Sequence, residues 1–175
     1  MKGFLADTIK RLRYYKELGE RTFSQLNEED FFYKPSGESN SIAVIIQHLH
    51  GNMLSRWTNF LTEDGEKEWR RRDAEFEEVR RGKDALLALW EEGWQCMFDT
   101  LESLEEEDLQ KTILIRTEPL VVYDAILRQL AHHPYHVGQI AYIGRIIKDK
   151  EWQSLSIPKG GSANFLEQMK ASQKK

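Results

Sequence analysis

"RQLAHHPYHVGQIAYIGR", Arg128 to Arg145, is the stretch on which the architecture of this chain turns. With Ile126 just upstream, its residues Leu130, Val137, Ile140 and Gly144 fall on one stripe at about 100° per residue, the mark of a helix that packs one face on a core. Three of the chain's five histidines interrupt that pattern, at positions 132, 133 and 136. His133 lies within the stripe, whereas His132 and His136 lie on its edge beside Gln129, Gln139 and Ile143. Four residues apart, these two imidazoles project from successive turns of one face and can reach one metal ion. Pro134 removes a backbone donor from the carbonyl of Leu130 and predicts a kink between them.

The other two histidines sit in a second helical pattern, Ser41 to Thr62, whose core stripe is Ile42, Ile46, Leu49, Met53, Trp57 and Phe60. His50 falls close to that stripe. His48 lies on the opposite side with Ser41, Asn52, Ser55 and Asn59, a polar line free of Lys and Glu that fits a partly buried pocket better than a solvated face. One histidine from this helix and the pair from the later one would make a metal site. Three neutral imidazoles suit zinc, nickel, iron or copper and leave positions open for water or substrate. The plainer alternative is that these are packing or surface residues, because an i, i+4 histidine pair also recurs by chance.

Two further helices complete the pattern. Leu5, Ile9, Leu12, Tyr15, Phe23 and Leu26, with Gly19 on the same stripe, predict a helix over Gly3 to Leu26; Leu86, Trp90, Trp94, Met97, Leu101 and Leu104 predict one over Lys83 to Leu104. Pro35 and Gly37 break the chain before the second helix, where Ser39, Asn40 or Ser41 can cap it. Asp64 and Gly65 signal a turn, and "EKEWRRRDAEFEEVRRG" then reads as a long charged connection with partial helix. Its runs Arg70 to Arg72 and Arg80 to Lys83, interleaved with Asp73, Glu75, Glu77 and Glu78, read as a solvated face. Thr112 to Thr117 is the one strand-like run, before Pro119 introduces the fourth helix, Leu120 to Lys148. The tail reads as loop, including "PKGG", and a short amphipathic helix. The expected architecture is an all-α four-helix bundle, one domain over 1–175, with a long connection between helices 2 and 3 and a short C-terminal extension.

Composition narrows the function classes. A formal charge of -4 and a pI near 5.8 argue against nucleic acid or anionic membrane as partner, since both need a concentrated cationic surface. The single cysteine, Cys96, forms no internal disulfide and fits a reducing cytoplasm; nothing marks it as a nucleophile. The N-terminal residues lack the pattern of a signal peptide, and no apolar run approaches the roughly 18 residues of a membrane span.

On "SNSIAVIIQHLHGNMLSRWTNFLTEDGEKEWRRRDAEF", "RQLAHHPYHVGQIAYIGR" and "WQSLSIPKG", the chain resembles the DinB-like superfamily of DinB/YfiT-type metalloenzymes, and within it a Bacillus-type subfamily of unknown function. The resemblance implies a metal held by His48 in "QHLHGN" and by His132 and His136 in "HHPYH", with zinc or nickel ahead of iron or manganese. It leaves His50 and His133 as neighbours of the ligands or packing residues. It also implies a small-molecule substrate, a metal-dependent transfer reaction that uses bacillithiol or another low-molecular-weight thiol, and a homodimer. Asn52, one turn past His48, is the leading pocket residue. Arg56 is a candidate partner for a substrate carboxylate, or else for Glu63 or Asp73. Gln139 can orient an imidazole, while Tyr135 points away from the core. A non-catalytic metal-binding or dimerising bundle is the competing class. Hydrolysis by a metal-activated water is a third reading, and no carboxylate stands beside the histidines in sequence to support it.

Overall fold

The computed structural model describes residues 3–172. It is mostly helical, with α1 at Phe4–Phe23, α2 at Ile42–Trp57, α3 at Lys83–Ser103, a hairpin of β1 (Thr112–Ile115) and β2 (Glu118–Val121), α4 at Val122–Lys148 and α5 at Ser162–Ser172. Helix α2 lies along α3 and α1 along α4, while α1 with α3 and α2 with α4 close the set around one apolar core. Trp57, Trp90, Trp94, Phe23 and Phe31 are its largest fully buried side chains. Gly19 sits on the α1 stripe because the Trp90 ring occupies the space that a Cβ would fill. Among the described residues no helix is long and apolar enough to cross a membrane.

Helix α2 starts as the sequence predicts: Ser41 is its N-cap, and the side-chain oxygen accepts the Val44 N–H at 3.3 Å. It stops at Trp57, five residues before the expected end, because Thr58 turns extended and Asn59 adopts a left-handed φ of 51°. Asparagine tolerates that conformation better than most residues. The buried Phe60 therefore reaches the core from a turn rather than from the helix.

The fourth helix also starts later than expected, since Glu118–Val121 is a strand paired antiparallel to β1, with Ile115 opposite Glu118 and Leu114 opposite Pro119. A strand of a two-stranded ribbon needs no donor on its outer side, so Pro119 fits. Arg116 and Thr117 make the two-residue turn with φ of 55° and 66°, the left-handed pair that matches strand twist. Neither is glycine, and Asp64 offsets the strain: its carboxylate accepts the N–H groups of Arg116 at 2.8 Å and Thr117 at 2.7 Å. It also accepts Glu66 N–H at 2.7 Å. These bonds outweigh burial and hold the Asp64 carboxyl below its usual range. The Asp64–Gly65 turn is thus tied to the hairpin ahead of α4, and the Gly65 N–H donates to Leu114 O at 2.8 Å.

The connection between α2 and α3 is long, as expected, but it is not uniformly solvated. Its 3-10 turn at Asp73–Phe76 packs on α2, and Lys67 and Arg70 are buried. Arg71, Arg72, Arg80 and Arg81 remain exposed. The reading of Arg70 and Glu75 as part of a solvated face is corrected: they bond each other through Arg70 Nε to Glu75 Oε1 at 2.7 Å and Nη2 to Oε2 at 2.9 Å. Helix α5 buries none of its residues.

Candidate metal centre

Helices α2 and α4 bring His48, His132 and His136 together, with one ring nitrogen of each lying within 4.8 Å of the others. The i, i+4 spacing puts two of these rings on one face of α4, with centroids 4.7 Å apart. Helix α4 runs through Pro134 as one helix, so the proline does not remove His132 from the cluster. The Nε2 atoms of His48 and His132 are 3.2 Å apart. That matches the about 3.3 Å expected for two nitrogens each about 2.0 Å from a tetrahedral ion.

The neighbours of these rings decide which nitrogen faces inward. A carboxylate only accepts, so His48 donates its Nδ1–H to Glu75 Oε2, at 3.0 Å, and keeps the Nε2 lone pair for the cluster. His136 does the same through Gln139, whose Oε1 accepts Nδ1–H at 2.7 Å. Gln139 Nε2 in turn donates to the Tyr135 hydroxyl at 3.2 Å. The outer nitrogen of His132, Nδ1, is buried without a partner.

Burial keeps two of the three imidazoles, His132 and His136, neutral. Burial pushes His132 down to about 2, helped by the neighbouring histidines, and pushes His136 down to about 4 against the opposing bond to Gln139. Burial tends to raise the Glu75 carboxyl, but the bonds from His48 and Arg70 outweigh it and hold the group below its usual range. The result is two neutral imidazoles on α4 facing His48, which has the Glu75 carboxylate behind it. Such a donor set fits a divalent transition metal, which requires neutral imidazole and gains from a carboxylate that orients it.

The other candidates divide. Asn52 and Gln129 line the cleft over the histidines, a space of about 390 Å³. Both are buried, and neither side-chain oxygen has a hydrogen-bond partner among the described residues. Arg56 also lines the cleft, but its guanidinium is engaged by Gly65 O and by Glu66 at 3.1 Å, not by Glu63 or Asp73. His50 turns away and meets Glu92 at 2.9 Å. His133 is a core residue: it is 0% exposed, packs on Trp94 at 5.2 Å between centroids and donates Nδ1–H to Gln129 O at 3.0 Å. Tyr135 is exposed, as expected, but its ring touches His136 and edges the cleft. The Cys96 thiol is pushed up by burial, the opposite of an activated nucleophile.

Sequence reasoning missed Glu75, Arg70 and Phe76, all on the α2–α3 connection. Phe76 stacks on His48 with centroids 4.7 Å apart. The one trace of this docking in the sequence is Gly51, a turn past His48, where a Cβ would overlap Glu75 Oε1. A family model described as a protein of unknown function (DUF1572) matches residues 1–161. No curated protein and no solved structure matches the chain.

Proposed function

Because this chain belongs to the DUF1572 family, a DinB-like family, we propose that its four long helices are the four-helix bundle of a metal-dependent enzyme. Its reaction is transfer of a low-molecular-weight thiol to a small electrophile. The observation that carries the metal reading is the convergence of His48, His132 and His136, two of them anchored through Nδ1–H. Three protein ligands leave room for a substrate atom. The chemistry a bound zinc or nickel ion would supply is stabilisation of a thiol as its thiolate.

The chain's own residues do the rest. Glu75 and Gln139 hold the imidazoles of His48 and His136 in the orientation that leaves Nε2 available. Phe76 covers one face of His48 and excludes water from it. Asn52 and Gln129 line the cleft beside the histidines. Glu75 is committed to Arg70 and His48, so it is a poor general base, which favours thiol transfer over hydrolysis.

The experiment is metal analysis of tag-free protein together with thiol-dependent consumption of an alkyl halide, using cysteine, glutathione and bacillithiol in turn. Near-stoichiometric transition metal is expected, with at least about tenfold weaker binding in His48→Ala, His132→Ala and His136→Ala, and turnover that stops on chelation while helicity survives. Full metal binding by all three variants overturns the site. Unfolding on chelation with no turnover would instead make the metal structural.

A further inference from the structure

The cleft over the histidines has an unusual electrostatic lining. Five arginines face it, Arg56, Arg70, Arg72, Arg116 and Arg128, and no aspartate, glutamate or lysine does. The carboxylates behind them do not balance the charge. Glu66 serves both Arg56 and Arg116, and Glu75 serves Arg70. Arg72 and Arg128 have no carboxylate partner among the described residues. In a protein whose net charge is -4, this concentrates positive potential at one concave place, where a low-dielectric wall strengthens it.

The two unpaired guanidinium groups are placed by their elements. Arg128 stands one turn before His132 on α4, four residues N-terminal and therefore on the same helix face. Arg72 lies over the Phe76 ring at 5.4 Å, and that ring is the one stacked on His48. One group therefore approaches the histidines from α4 and the other from the α2–α3 connection. Asn52 and Gln129 are each more than nine-tenths buried, with side-chain oxygens that have no hydrogen-bond partner among the described residues. Both residues line a space of about 390 Å³, the size of a small-molecule site.

We infer that the cleft selects a small substrate carrying at least two oxyanionic charges, carboxylate or phosphate, held between Arg72 and Arg128 in the space that Asn52 and Gln129 also line. Planar guanidinium is the side chain suited to such groups, because it donates two parallel bonds to one carboxylate or phosphate. The inference rests on the proposed reading of this cleft as the substrate site. It names the charge class of that substrate.

The test uses the metal-free protein, so that it stands or falls apart from the metal. Succinate and inorganic phosphate are titrated at low ionic strength against the arginine side-chain N–H signals in NMR, with acetate as a single-charge control. Saturable binding of at least one dianion is expected, with acetate weaker and the shifts centred on Arg72 and Arg128. The stronger of the two dianions identifies the group recognised. Arg72→Gln and Arg128→Gln, both at exposed positions, should each weaken binding about tenfold, the scale of one lost charge-assisted bond. Absence of saturable binding by either dianion, or parent-like binding by both arginine variants, overturns the inference.

Discussion

Glu75 shows what a single residue contributes here. Its carboxylate receives His48 Nδ1–H on one side and the Arg70 fork on the other, so it fixes the tautomer and the direction of the imidazole while its charge raises ligand basicity. Glutamine keeps a carbonyl for the imidazole but loses the charge and offers Arg70 an amide that cannot accept as well. Glu75→Gln is expected to lower metal affinity about ten- to a hundredfold, read by competition with a chromophoric chelator, with an unchanged helical signal. Unchanged affinity would reduce the Glu75 bond to a packing contact. The contrast with the histidines is instructive. His132 and His136 were legible because helical spacing puts i and i+4 on one face; the polar line of His48 pointed to a pocket, and the family resemblance singled it out as the third member. No local pattern joins Glu75 to His48, since the chain must reverse between them.

At the scale of elements, the α2–α3 connection is more than a linker. It threads Arg70, Glu75 and Phe76 back onto α2, and it can approach that closely because Gly51 presents no side chain. Alanine at this position gains about 1 kcal/mol of helix propensity but displaces the Glu75 carboxylate. Gly51→Ala should therefore weaken metal binding as Glu75→Gln does and lower the urea midpoint, since displacing Glu75 leaves the buried Arg70 guanidinium without its partner and outweighs the propensity gain. The double variant should be no weaker than the worse single one, because both act through the same contact. Additive losses would show that Gly51 acts elsewhere. The charged composition of this segment hid the docking: burial of Arg70 and Glu75 is tolerable only because each neutralises the other, and pairing across five residues of irregular chain has no period to detect. The hairpin was half visible for a similar reason. β1 carries a short β-branched and apolar run, Thr112 to Ile115, whereas β2 contains Pro119 and owes its strand form to pairing with β1 and to Asp64 at the turn.

At the scale of the whole molecule, burying uncharged histidines links stability to pH. Burial lowers His133 and His136 to about 4 and His132 to about 2 from an ordinary 6.5. Below pH 6.5 the unfolded chain therefore binds more protons than the folded one, and stability rises with pH through that window. The metal-free protein should hold full stability above about pH 6.5 and lose it as pH falls toward about 4, with His132 extending the loss further. Urea midpoints across that range check this, and replacing His133 and His136 by asparagine should flatten the slope. A midpoint that rises or stays level on acidification of the parent would contradict it.

The sequence by itself determined the helices and the pairing of His132 with His136, because both follow from periods of the chain: apolar residues recurring every three or four positions, and imidazoles set one turn apart; His48 came from the resemblance to the DinB-like superfamily. Only the tertiary structure decided what surrounds those histidines. Glu75 behind His48, Phe76 across its face and the unbalanced arginines of the cleft come from segments distant in sequence, brought together by pairing, stacking and burial that no local period encodes.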